Sequence, residues 1–124
     1  MLVFMRVEIR KQQGKFENVI IITFHTKPEE FDSEYERSKF FRSLHGWQQS
    51  VSKNEKRYTY RRPGLLDEMQ HVKIADSVFM TALQNLDRIE SFFDEWRKKV
   101  EVDIMEVMMQ KSELEKMFRQ GFEH

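Results

Sequence analysis

Eight basic side chains crowd into one stretch of the chain: Arg37, Lys39, Arg42, Lys53, Lys56, Arg57, Arg61 and Arg62. Glu55 is the one acid among them, so residues 37–62 carry a net +7 inside a chain whose formal net charge is zero. Tyr58 and Tyr60 interleave with these cations. Lysine and arginine neutralise phosphates and aromatic rings stack on bases, so this combination is suited to nucleic acid. The competing reading packs the tyrosines into the core and leaves the basic stems snorkelling around them on a solvated face.

Two further residues are candidates for catalysis. His25 ends the apolar run Val19-Ile20-Ile21-Ile22-Thr23-Phe24, where a neutral imidazole can ligate a metal or take a proton. Asp76 interrupts Ile74-Ala75-Asp76-Ser77-Val78 and is the candidate metal ligand, because an unpaired carboxylate is costly to bury in such a strand. Each also reads as an ordinary polar position, a strand terminus for His25 and an exposed edge or arginine-paired residue for Asp76. His45 and His71 lack ligand spacing, and the neighbours Asp67 and Glu68 diverge on a helix. There is no Ser-His-Asp signature or metal-binding helix motif, and with only four glycines a phosphate-cradling loop is not supported. The eight methionines read as core or interface filler.

The element that must organise these residues is the β-branched run Val19 to His25. It is apolar at odd and even positions alike, which predicts a central strand covered on both faces. Leu2 to Arg10 alternates apolar and polar and reads as a half-buried strand. It is joined to the central strand as an antiparallel hairpin through Gln12-Gln13-Gly14-Lys15. Pro28 ends the central strand. Ser33-Glu34-Tyr35-Glu36 fits a capping box, with Asp32 a competing cap, so a helix is expected to about Leu44, stopped by Gly46. Tyr35, Phe41 and Leu44, with Phe40 or Ser38 at the flank, are expected to share its inner face.

Trp47 to Val51 and Arg57 to Arg61 read as two short strands around a 52–56 loop. Arg62-Pro63-Gly64 closes that unit. His71 to Met80 reads as one strand. Leu83 to Lys99 reads as a helix capped by Thr81 or Asn85, with Leu86, Ile89, Phe93, Trp96 and Val100 on one face. Glu101 to Met109 is a last strand. Ser112 to Phe122 is a helix too short to stand alone, so it must dock on the body or on another subunit.

The expected fold class is α+β, a single ferredoxin-like domain over residues 1–124. It is a βαββαβ plait with an extra N-terminal strand, an inserted basic β-hairpin and a C-terminal helix. A homodimer packed sheet to sheet, or the terminal helix, would cover the second face of the central strand. The absence of cysteine excludes disulfides and thiolate zinc sites. No signal peptide pattern opens the sequence and no apolar run is long enough to span a bilayer, so a cytoplasmic protein without a membrane partner is expected.

The run Glu36-Arg37-Ser38-Lys39-Phe40-Phe41-Arg42-Ser43-Leu44-His45-Gly46 follows a strand. Asp76-Ser77-Val78-Phe79, an amphipathic helix and a last strand come after it. Over about Val19 to Met108 this resembles the small CRISPR-associated protein two family, and virulence-associated protein D toxins have a similar plan. The resemblance implies the plait, a dimer, affinity for RNA or DNA, and an integrase-type protein partner. Family members with nuclease activity have an aspartate near the end of the first core strand, holding Mg²⁺ or Mn²⁺ at the dimer axis. Here that place reads Thr23-Phe24-His25-Thr26, and the N-terminal strand and the 47–62 insertion also depart from the pattern.

Three functions follow as expectations. The first is a dimeric scaffold that holds nucleic acid without cutting it. The second is a metal-dependent nuclease of the same fold using Asp76, with His25 or Asp32 in support. The third is a protein–protein interaction module with no nucleic-acid role. No cofactor is expected beyond Mg²⁺ or Mn²⁺ in the second case.

Overall fold

The structure is a computed structural model that describes residues 3–8 and 15–120. The chain is α+β and divides into two compact units. One comprises Met1–Glu30 with Gln70–His124, here called the sheet unit. The other is Phe31–Met69, here called the arm unit.

The sheet unit is built on β2 (Phe16–Thr26), which the sequence places at the centre. It is flanked by β7 (Val100–Gln110) and β6 (Val78–Ala82), antiparallel to both. β5 (His71–Ala75) continues the antiparallel sheet beyond β6, and β1 (Val3–Glu8) closes the other edge in parallel with β7. The order is β1-β7-β2-β6-β5. The expected antiparallel pairing of the first strand with the second is therefore corrected. β7 matches β2 along its whole length, from Phe16↔Gln110 to Thr26↔Val100, and occupies the place beside it. The Gly14 turn lies outside the described residues.

Successive side chains alternate across a strand, and β2 buries residues of both sets, more completely on the even-numbered face. Ile20, Ile22 and Phe24 share one face with Val102, Ile104 and Phe79. Helix α2 (Leu86–Glu95) covers this face through Ile89 and Phe93, the Phe93 ring lying 5.5 Å from that of Phe24. Val19 faces the other way, clustered with Val72, Met80, Val107 and Leu114. Leu114 belongs to the terminal helix α3 (Lys111–Gln120) and is 2% exposed. The short helix thus docks on its own chain and supplies cover for the second face. Ile21, Ile74 and Met105 are half-buried at the margin of that cluster.

Three expected elements change in this unit. The single strand from His71 to Met80 is two strands, because Asp76-Ser77 forms a two-residue turn between Ala75 and its partner Val78. Phe24 N–H donates to the Ser77 carbonyl there, at 3.0 Å. The helix after it is shorter than Leu83 to Lys99: a 3-10 turn covers Leu83–Asn85 and α2 stops at Glu95. Of the two expected caps, Asn85 does stand at the N-cap position of α2, though its side chain makes no capping hydrogen bond, and Thr81 does not cap the helix. Thr81 lies in β6, its hydroxyl donates to the Gln70 carbonyl at 2.7 Å, and it accepts the Asn85 side-chain amide at 2.8 Å.

In the arm unit, α1 (Glu34–His45) begins as the sequence predicts. Ser33 Oγ accepts Glu36 N–H at 3.1 Å, and the Glu36 carboxylate accepts Asp32 N–H at 2.9 Å. Gly46 ends it at φ +77°, donating to the Arg42 carbonyl. The inner face is Phe40 and Leu44, one turn apart, rather than Tyr35 and Phe41. Adjacent Phe40 and Phe41 make the periodicity ambiguous by one position, and burial selects the first. A hairpin follows, β3 (Trp47–Lys53) and β4 (Lys56–Arg62), turning at Asn54 and Glu55, both at positive φ. That is a two-residue turn of the kind whose twist matches the flanking strands. It lets the strands run closer to the turn than the expected 52–56 loop allows. Among the described residues, no helix is long and apolar enough to cross a membrane.

Candidate functional site

Every residue from 50 to 63 is exposed, so the end of the hairpin shows both its faces to solvent. The register sorts its side chains. Trp47, Gln49, Val51 and Lys53 stand opposite Arg62, Tyr60, Tyr58 and Lys56 on one face. Gln48, Ser50 and Ser52 stand opposite Arg61, Thr59 and Arg57 on the other. The first face is aromatic and cationic, the second polar and cationic.

An isolated two-stranded hairpin is marginal in water, and here the base is fastened. Arg61 Nη2 reaches both Asp67 carboxylate oxygens, at 3.0 and 2.8 Å, and donates to the His45 carbonyl at 2.9 Å. Asp67 Oδ2 also accepts Gly64 N–H at 2.8 Å. Two glycines permit this closeness. A Cβ on Gly64 would meet Gly46 N and stand 2.6 Å from the Leu44 carbonyl oxygen. A Cβ on Gly46 would stand 2.5 Å from Asp67 Oδ2. Arg61 is thus an anchor of the arm as well as a member of its basic set. Asp67, which by sequence reads as structural or solvated, is its partner.

The other cations divide by environment. Arg62 Nε donates to Gln49 Oε1 at 2.7 Å, and its guanidinium lies 5.7 Å from the Tyr60 ring centroid. Arg37 folds back over Phe41 and has Glu34 at 3.9 Å. Lys39, Lys53, Lys56 and Arg57 are exposed. The alternative in which Tyr58 and Tyr60 are core residues is overturned: they are 42% and 47% exposed.

Beside the base of the hairpin lies a cleft of about 250 Å³ lined by Tyr35, Lys39, Arg42, Ser43, Trp47 and Pro63. The Arg42 guanidinium sits 4.3 Å from the Trp47 ring centroid, a cation–π contact that fixes where its donors point. Tyr35, at the mouth, is 76% exposed. Tyr35 and Trp47 were not expected at a site. The first reads as the inner face of a helix and the second as the start of a strand. The sequence signal that could have found Tyr35 is its spacing of four and seven residues from Lys39 and Arg42 on α1; Trp47, in β3, carries no such signal.

His25 and Asp76 are brought to one end of the sheet. Thr23 pairs with Val78, and the Asp76-Ser77 turn lies beside the Phe24–His25 end of β2. His25 is exposed, and Asp76 is 95% exposed with Lys73 Nζ 3.0 Å away. The cost of an unpaired buried carboxylate therefore does not arise at Asp76, which occupies a turn rather than a strand interior. Among the described residues, no three His, Cys, Asp or Glu side chains gather into a group that could hold a metal ion. No protein-family model matches the chain, and no curated protein or solved structure is found to be similar to it.

Proposed function

We propose that the protein binds nucleic acid through the arm unit and that the sheet unit is the scaffold that carries it. The observation behind this is the distribution of exposed large apolar side chains. Among the described residues these are Tyr35, Val51, Tyr58 and Tyr60, all in the arm unit and all within the neighbourhood of its eight cations. Rings left in water beside lysine and arginine are what stacking on bases requires. A protein surface with no such role rarely keeps aromatics exposed together.

The sheet unit supports a ferredoxin-like reading. β2, β5, β6 and β7 form an antiparallel sheet in the spatial order β7-β2-β6-β5, with α2 joining β6 to β7. With α1 between β2 and β5, that is the connectivity of the βαββαβ plait. A homodimer belongs to the same proposal, since Ile21, Ile74 and Met105 remain half-buried beside α3. Sedimentation at micromolar concentration tests it: a monomer removes the dimer and leaves the nucleic-acid surface standing.

Binding is preferred to cleavage because the two candidate catalytic residues are both exposed and Asp76 has Lys73 as a neighbour. One titration tests the whole reading. Labelled single-stranded RNA, single-stranded DNA and duplex DNA are mixed with the protein at low and high salt, with Mn²⁺ or chelator, and followed for mobility and for cutting. Affinity is expected to fall steeply with salt, with single strands bound more tightly than duplex and no strand cut. Cutting that needs Mn²⁺ and disappears in Asp76→Asn would instead establish a nuclease. Salt-insensitive or absent binding would leave the interaction-module alternative.

A further inference from the structure

The cleft and the aromatic face of the hairpin are parts of one surface, because Trp47 belongs to both. It lines the cleft and lies directly opposite Arg62 in the hairpin register. From there the same face continues through Tyr60 to Tyr58, both on β4. Side chains two residues apart on a strand stand ~6.6–6.8 Å apart. This is about twice the 3.4 Å rise of stacked bases. Consecutive tyrosines on this face therefore match a single strand whose bases are each drawn apart by one stacking interval, and not a duplex.

The cleft itself has the composition of a nucleotide seat. Lys39 and Arg42 supply positive charge, Ser43 a hydroxyl, and Tyr35 an open ring, with no carboxylate in the lining. Arg42 is held on the Trp47 ring, so its donors are oriented before a phosphate arrives. We propose that the cleft takes one terminal or flanking nucleotide of a single strand, base against Tyr35 and phosphate on Lys39 and Arg42, while the next two bases lie on Tyr60 and Tyr58. Trp47 is a positioning residue: it acts through Arg42. The inference rests on the nucleic-acid reading above and adds a substrate class, unpaired strands, with a minimal footprint of about three nucleotides.

The test is a length series. Single-stranded oligonucleotides from one nucleotide to about eight compete against a longer labelled strand, for the wild type and for Tyr35→Ala, Lys39→Ala and Tyr58→Ala. Each of these side chains is exposed, and thermal melting confirms that each variant is folded. Affinity is expected to climb steeply up to about three nucleotides and then slowly. Tyr35→Ala and Tyr58→Ala each lose at least about fivefold on the trinucleotide. In Tyr35→Ala the gain from the third nucleotide disappears. Trp47→Phe retains binding because a ring still holds Arg42, whereas Trp47→Leu weakens binding as Lys39→Ala does. If Tyr35→Ala and Lys39→Ala keep the wild-type length dependence while binding remains salt-sensitive, the cleft is not part of the track and the proposal fails alone. If no oligonucleotide of any length competes or binds, the nucleic-acid reading falls with it.

Discussion

In the sheet unit the large side chains go inward. Phe24, Phe79, Phe93, Ile20, Ile22 and Ile104 are all buried, and β2 hides residues on both of its faces. In the arm unit the hairpin does the opposite. It holds Tyr58, Tyr60 and Val51 in water and is fastened at its base by polar contacts among Arg61, Asp67, His45 and Gly64. One region gains stability from apolar area removed from water. The hairpin of the other gives up that gain and keeps an aromatic and cationic surface open. On the proposed function, stability belongs to one set of residues and binding to another, and substitutions can test whether the division is real.

The largest effect is expected at Phe93→Ala. It empties a site between α2 and β2 and is expected to cost ~3–5 kcal/mol. Chemical denaturation should show this loss with the denaturant slope unchanged, while affinity for a single strand, measured where the variant is still folded, stays at the wild-type value. Lost affinity in the folded variant would mean that the sheet unit touches the ligand.

Gly64→Ala comes next. The new methyl meets backbone on the facing segment, Gly46 N and the Leu44 carbonyl, neither of which is the end of a flexible side chain. A cost of ~1–3 kcal/mol is expected, and amide exchange should quicken in residues 31–69 more than in β2 and β7. Equal quickening in both would show that the two units unfold as one. Asp67→Asn is milder, since the Arg61–Asp67 pair is half exposed and such pairs contribute only ~0.2–1 kcal/mol. Its more telling readout is binding. Releasing Arg61 from its carboxylate should leave affinity the same or raised, whereas a marked fall would mean that arm geometry, more than charge, governs recognition.

The sequence made the apolar architecture legible because β2 and β7 are long and continuous and α1 caps and stops with recognisable residues, Ser33 and Gly46. It made the basic hairpin legible through Tyr58-Thr59-Tyr60 alternation. Three things were hidden for physical reasons. The Asp76-Ser77 turn is marked only by two turn-favouring residues, with no glycine or proline, and that signal fits a polar position inside a strand equally well. The parallel pairing of β1 with β7 joins opposite ends of the chain, and hairpin proximity is a poor guide to such long-range pairing. The Arg61–Asp67 anchor and the Tyr35–Trp47 cleft depend on which residues face each other after folding, and a one-position ambiguity at Phe40-Phe41 was enough to turn Tyr35 inward on paper.

An effect of opposite sign, and the one that most sharply separates folding from binding, is expected at Glu55. It sits at φ +65° in the hairpin turn, where a side chain is strained and glycine is not. It is also the single acid among eight cations. Glu55→Gly should therefore stabilise the hairpin, by about 1 kcal/mol, seen as slower exchange of β3 and β4 amides. It should also tighten single-strand binding at low salt, with the advantage shrinking as ionic strength rises, because the repulsion removed is a screened surface charge. The two gains have different origins, one local and steric, one electrostatic, and salt tells them apart. Slower exchange with weaker binding would show that Glu55 itself contacts the ligand, as a carboxylate does when it accepts from a cytosine amino group, and would turn the tip of the arm from a charge penalty into a reading head.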